Sequence, residues 1–326
     1  MGVVLCAVDP AGGRLILLGK TGPSSYGFAG QIDCGNGSTS VLPTEPGRAL
    51  VAARLSNRVG IVDLRLGRRI GEIVVGWAPC SLAAVPGTAY VLVCNAGSDA
   101  VSVIDTRTAR ETQRIAVGRE PRHVVTAEDG LSAYVSEQGA GTVCRLDLTA
   151  LHENGSGAVE LVWRSMLGRH VQPCLVVPTG GGTAVVLTRR GPRLPLLDLT
   201  SGLMLASVAL PAAAAVSAGG AVGAVSVGEG FLLVAVERPG LIAVVDLLEC
   251  TVSRTITLGA RPRDITIDPA DQTVYCALPW SGRVAVVHLD GVDLSTEDGR
   301  PQFESIAAGR APCSVAVLAD SDFDET

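Results

Sequence analysis

The chain has 326 residues, of which 47% are hydrophobic and 3% aromatic, with a formal net charge of -6. That length suits one domain and leaves no room for a second, and the acidic balance lacks the basic footprint that nucleic acid requires. No run of 18 apolar residues predicts a membrane span, and residues 1–13 lack a basic region followed by an apolar stretch and a cleavage site, so the expected location is cytoplasmic.

In chain order, three strand-like runs come first, at 3–8, 14–19 and 28–35, with residues 19–30 read as an inserted loop carrying Tyr26. Six similar units follow, at 40–79, 80–121, 122–173, 174–223, 224–262 and 263–312, and the Ala/Gly-rich run 211–223 blurs one boundary. The units meet at one junction, seen as Gly76-Trp77-Ala78-Pro79, Gly118-Arg119-Glu120-Pro121, Gly259-Ala260-Arg261-Pro262 and Gly309-Arg310-Ala311-Pro312. The same junction recurs between Gly168 and Cys174 with two extra residues. Within the clearest unit, 122–173, the expected strands are 123–127, 133–136, 143–147 and 159–166, with Glu128-Asp129-Gly130 as the first turn. Third strands end in Asp (Asp63, Asp105, Asp147 and Asp246), which is expected to cap the following turn. The chain closes with one first strand, 313–319, followed by an acidic tail at 320–326.

A period of about 40 residues built from short strands marks the blades of a β-propeller. Six complete units, plus three strands at one end and one at the other, predict an all-β fold of seven four-stranded blades. The last blade would be closed by strands from both ends, leaving no free inner edge. With so few aromatics, the core between blades must be Val, Leu, Ile and Ala.

The runs Ala133-Tyr134-Val135-Ser136-Glu137 and Val91-Leu92-Val93-Cys94-Asn95, the strand Val101-Ser102-Val103-Ile104-Asp105 and the Gly-x-x-Pro junction resemble the YVTN-type propeller repeat over almost the whole chain. The sequence departs from that repeat at its final Asn, carrying Glu137, Thr188, Val236 and Leu278 instead. The resemblance implies the architecture and spans surface-layer proteins, lactonase-like enzymes and domains of redox enzymes.

Equivalent repeat positions form rings around a propeller channel. The residue after the junction proline is Cys80, Arg122, Cys174, Arg263 and Cys313, and the next is Ser81, His123, Leu175, Asp264 and Ser314. Loops between second and third strands add Arg54, Arg189, Arg190, Glu237 and Trp280 to the same face. One reading makes His123 and Glu137 a proton-transfer pair, with Arg122 and Arg263 gripping an anion from opposite sides, helped by Asp264 and Arg189. A second makes His123 a packed strand residue and Arg122 the partner of Glu137 in a salt bridge. A third has Cys80, Cys174 and Cys313 meet at a metal or act as nucleophiles, against which stands the width of a seven-bladed channel. Trp77, Trp280 and Tyr26 are candidate stacking or lid residues.

No Cys-x-x-Cys, His-x-x-x-His or phosphate-loop motif occurs, so neither cofactor nor metal is expected. The function expected is metal-independent acid-base chemistry (a lyase, cyclase or lactone hydrolase) on a small anionic or aromatic metabolite, in a bacterial specialised pathway. The alternative is a non-catalytic scaffold that binds a protein partner.

Overall fold

Each sequence unit folds into four antiparallel strands, and the strands differ in burial for a simple reason. Second strands such as Tyr90–Asn95 and Ser132–Glu137 are buried along their full length, because both of their faces pack against neighbouring blades. Fourth strands such as Arg110–Ala116 alternate between exposed and sheltered residues, because they form the outer rim. The computed structural model describes residues 3–21, 26–45, 47–153, 158–168, 170–189, 193–210, 221–227, 230–268, 272–289, 291–296 and 302–318.

Seven four-stranded sheets result, and we number them as blades in chain order from the first complete unit. The first strands of blades 1 to 6 are Ser38–Pro43, Pro79–Ala84, Pro121–Thr126, Pro173–Gly180, Ala221–Val227 and Asp264–Asp268. They touch one another round the ring and so line the channel. Blade 7 is built from Ser314–Val317, Val3–Asp9, Arg14–Lys20 and Tyr26–Asp33, in that order from the channel outward. The fold is the seven-bladed propeller that the repeat count predicts.

Closure depends on the antiparallel register Leu5↔Val317, Cys6↔Ala316, Ala7↔Val315 and Val8↔Ser314. The amide of Cys313 donates to Val8 O at 2.8 Å, and the amide of Arg310 donates to the buried Asp9 carboxylate at 3.0 Å. One short strand therefore completes the ring.

Each of the seven interfaces between neighbouring blades holds its own apolar cluster. Between blades 2 and 3, for example, Leu92, Val101 and Val103 pack on Val124, Val135 and Leu146, all buried. The clusters are aliphatic, as the composition requires, with Tyr90, Tyr134 and Tyr275 the buried aromatic rings among the described residues. Full burial of such a side chain contributes about 1.5–3 kcal/mol, so stability is spread around the ring.

Two sequence details are explained at atomic level. The terminal Asp of the third strands does cap its turn: Asp63 accepts the amide of Leu66, Asp105 that of Arg107 and Asp147 that of Thr149. At the entries to blades 2 and 3 the junction glycine is required because the end of the second strand lies against it. A Cβ at Gly76 would stand 2.7 Å from Asn95 Cγ, and one at Gly118 would stand 2.6 Å from the Glu137 carboxyl.

Other expectations are corrected. Residues 19–30 are not one inserted loop, since Lys20 pairs with Tyr26 and Gly19 with Gly27. A helical turn at Thr149–Glu153, absent from the predicted pattern, fills the link to the fourth strand of blade 3. The run 211–220 and the tail 320–326 lie outside the described residues.

Deleting residues 313–326 is expected to expose the inner edge of Val3–Asp9 and leave Asp264 without its acceptor role toward Val315. Thermal melting and light scattering should show a lower melting temperature and aggregation; an unchanged melt would contradict this closure.

Candidate functional site

The channel wall is generated by a register slip that recurs from blade to blade. Pairing between first and second strands skips Thr39 in blade 1, Cys80 in blade 2, Arg122 in blade 3 and Cys174 in blade 4. A bulge of this kind leaves one residue unpaired and re-aims its side chain, and here all four skipped residues line the channel cavity.

Three residues at this ring position, the bulged Thr39 and Cys80 and the equivalent Cys313, clasp the next blade. Thr39 Oγ1 donates to Pro79 O at 3.3 Å, Cys80 Sγ to Pro121 O at 3.4 Å, and Cys313 Sγ to Thr39 O at 3.7 Å. The next ring position supplies a second clasp in three blades by accepting a backbone amide from the following blade. Ser81 Oγ takes the amide of Val124 at 3.3 Å, His123 Nδ1 that of Val176 at 3.4 Å, and Asp264 Oδ2 that of Val315 at 3.1 Å. Small hydrogen-bonding residues such as Thr39-Ser40, Cys80-Ser81 and Cys313-Ser314 serve this purpose. Blades 3 and 6 carry Arg122-His123 and Arg263-Asp264 there instead, three blades apart across a ring of seven.

These departures converge on a cavity of about 280 Å³. It is lined by Arg54, Arg122, Arg189 and Arg263 but by one carboxylate, Asp264. Among the described residues none of the four guanidiniums forms an ion pair. Arg122 Nε donates to the neutral Gln138 Oε1 at 2.8 Å, which orients the guanidinium without neutralising it. Burial draws the Arg122 pKa below its ordinary value, and the charges of Arg54 and Arg189 lower it further. Burial raises the Asp264 pKa, although the Val315 amide, the Ser314 hydroxyl and the Ile265 amide favour its ionised form.

Burial takes the His123 pKa down to about 4, so the imidazole is neutral at pH 7. With Nδ1 accepting the Val176 amide, the ring proton resides on Nε2, and the residue acts as a donor. Burial pushes the thiols of Cys80 up to about 11 and of Cys174 and Cys313 to about 12. They are protonated clasps, not nucleophilic thiolates. Among the described residues no three His, Cys, Asp or Glu side chains converge in a way that holds a metal.

The structure brings Arg122, His123, Arg189, Arg263 and Asp264 together in this cavity, along with Arg54 and Gln138 from the loops between second and third strands that the sequence placed on this face. Arg54 and Gln138 sit one residue beyond the end of a second strand, the position shared by Arg189. Glu137 is placed elsewhere. It is fully buried at the end of the second strand of blade 3, where Arg164 grips it with bonds of 2.8 and 3.2 Å and the Gly118 amide donates at 2.6 Å. Burial alone would raise its pKa, but Arg164, Thr142 and the Gly118 amide outweigh it and hold the carboxyl below its usual range. The predicted His123/Glu137 proton-transfer pair is thereby replaced by separate roles, and so is the Arg122/Glu137 salt bridge.

The aromatic candidates also lie off the cavity wall. Tyr26 packs edge-on against Tyr275, with ring centres 5.8 Å apart and hydroxyls at 2.9 Å, and so joins blade 7 to blade 6. Trp77 and Trp280 are 68% and 75% exposed, in a blade junction and a loop between second and third strands, and Arg261 stacks over Trp280. Arg190 lies outside the described residues.

Fold and site together define a seven-bladed β-propeller with an arginine-lined channel mouth. No family model and no curated protein matches the sequence. Solved structures do resemble it. A candidate 6-phosphogluconolactonase from Bacteroides fragilis has a TM-score of 0.79 at 11% identity, covering 98% of both chains. A protein of unknown function from Desulfotomaculum acetoxidans has a TM-score of 0.77 at 12% identity, covering 97% of this chain and 98% of its own. Hydrazine synthase from Kuenenia stuttgartiensis has a TM-score of 0.63 at 20% identity, covering 84% of this chain and 90% of its own. At these identities the likeness shows the shared propeller architecture. No described helix is long and apolar enough to cross a membrane.

Two outcomes test the site as described. Replacing Glu137 by Gln should cost about 1–3 kcal/mol of stability in chemical denaturation, by weakening its charged hydrogen bonds, and leave the cavity intact. For His123 the unfolded chain binds more protons between pH 6.5 and about 4, so stability falls as the pH drops through that window. The full loss attached to His123 is about 3 kcal/mol. Unfolding free energies of wild type and His123→Asn over that range should converge toward acid; parallel curves would contradict a buried neutral imidazole.

Proposed function

We propose that the channel mouth binds a small anionic metabolite and acts on it by metal-independent acid-base chemistry. One observation carries the reading: four arginines without ion-pair partners face one carboxylate in a cavity of a chain whose formal net charge is -6. Concentrating cations there opposes the charge of the whole molecule, and such a field draws anions toward the mouth. Arg122, Arg189 and Arg263 hold the anion through planar two-pronged contacts. His123 donates a hydrogen bond to an oxygen of the substrate. Asp264, a partly buried carboxyl whose pKa is raised, transfers the proton.

Lactone hydrolysis and lyase or cyclase reactions need such an arrangement of anion grip, donor and proton carrier. The YVTN-type character of the repeat and a place in a bacterial specialised pathway belong to the same proposal. A second reading, a protein-binding scaffold, is favoured by exposed apolar residues on the outer rim, where Met166, Leu203, Met204 and Leu205 are each more than half exposed.

Turnover of a panel of anionic lactones and hydroxy acids, followed by proton release or uptake, separates these readings. Asp264→Asn should lower turnover roughly 10²–10⁴-fold. Arg122→Lys should weaken substrate binding, with melting preserved in both variants. Full activity in both variants would remove the cavity from consideration. Loss of activity only in step with loss of fold would favour the scaffold.

A further inference from the structure

Gln138 carries a hydrogen-bond donor that the fold does not use. The residue is 7% exposed and lines the channel cavity, one position beyond the second strand of blade 3. A guanidinium can only donate, so the end of the carboxamide that meets Arg122 Nε at 2.8 Å must be the oxygen, Oε1. That contact decides which way the amide is flipped. Its NH2 group then has no acceptor among the described residues, and it is not sealed inside the protein, so its open side is the cavity that Gln138 lines.

Nothing in the architecture asks for a glutamine at this position. The equivalent residue in blade 2 is the buried Ala96, whose amide donates to Ala78 O at 3.1 Å as the amide of Gln138 donates to Glu120 O at 3.0 Å. In blades 1 and 4 the position holds Arg54 and Arg189, which line the same cavity. Blades 1, 3 and 4 therefore use it to bring N–H donors to the channel.

A sheltered amide NH2 without an acceptor is unfavourable, and the Arg122 Nη groups beside it also make no hydrogen bond among the described residues. Because the amide nitrogen shares one carbon with Oε1, the unused NH2 stands a single carboxamide away from the guanidinium. An oxyanion that reaches Arg122 can satisfy both donors, whereas a neutral group would leave the charge uncompensated. Building on the anion-binding reading above, we infer that Gln138 is a ligand-binding residue whose NH2 donates, beside Arg122, to one oxyanion of the ligand, a carboxylate in the simplest case.

Titration with acetate, lactate and sulfate, and with acetamide as the neutral counterpart, tests this by calorimetry and by NMR of the side-chain amides in isotope-labelled protein. Gln138→Ala, a change that blade 2 already accommodates, and Gln138→Glu each identify the Gln138 NH2 signal by its loss, so one folded variant is enough. At least one anion should shift that signal in the wild type, and acetamide should not. Gln138→Ala should weaken binding of that anion roughly tenfold, and Gln138→Glu, which sets a carboxylate on Arg122, should abolish it, with melting close to wild type in both. An anion that binds without moving the Gln138 signal, or that binds Gln138→Ala as tightly as wild type, would overturn the role of Gln138 while leaving the anion site standing. A shift by acetamide equal to that by acetate would overturn the oxyanion. Absence of binding by all three anions would overturn this role and the anion site together.

Discussion

A single-residue bulge at the start of the first strand, repeated in blades 1 to 5, governs this molecule. In a regular ladder the side chain at that position would point into the packed space between blades. Skipping one residue turns it to the channel and, at the same step, brings its neighbour against the first strand of the next blade. Thr39 and Cys80 use the new direction to donate across the interface, Cys313 donates from the equivalent ring position, and Ser81 uses its position to accept. The ring is therefore held by apolar clusters between the blades and, nearest the axis, by two sets of weak hydrogen bonds at several interfaces, worth about 0.5–1.5 kcal/mol each.

The same geometry creates the site, because a residue that leaves the clasp is already aimed at the channel. Arg122 occupies a bulge and Arg263 the equivalent ring position, and His123 and Asp264 keep the second clasp while presenting titratable groups to the cavity. That arrangement has an electrostatic cost. Arginines crowd without carboxylates, and Asp264 is partly buried against the preference of its charged form. Unbalanced charge of this kind is common where a ligand completes the balance.

Glu137 illustrates how a residue type can mislead when its repeat position is ignored. A glutamate one strand from a histidine invites a catalytic pairing. Yet its equivalent in blade 2 is Asn95, which is also buried and also lies against a junction glycine. Glu137 is a structural residue of the repeat in ionised form, made tolerable by Arg164 reaching in from the rim.

The blade count, the shared closing blade, the aliphatic core, the capping aspartates and the ring positions were all legible in the sequence, because they follow from local alternation and from repetition at a fixed period. So was the membership of Arg122, His123, Arg189, Arg263 and Asp264 in one ring system. The partners of those side chains were not legible. Gln138 rather than Glu137 meets Arg122, Arg164 rather than Arg122 meets Glu137, and Tyr26 is spent on Tyr275. Repeat equivalence places a residue on a face, but which atoms lie within hydrogen-bond reach depends on the bulge and on the stacking of neighbouring blades. Those contacts join residues far apart in the chain, so no local pattern records them.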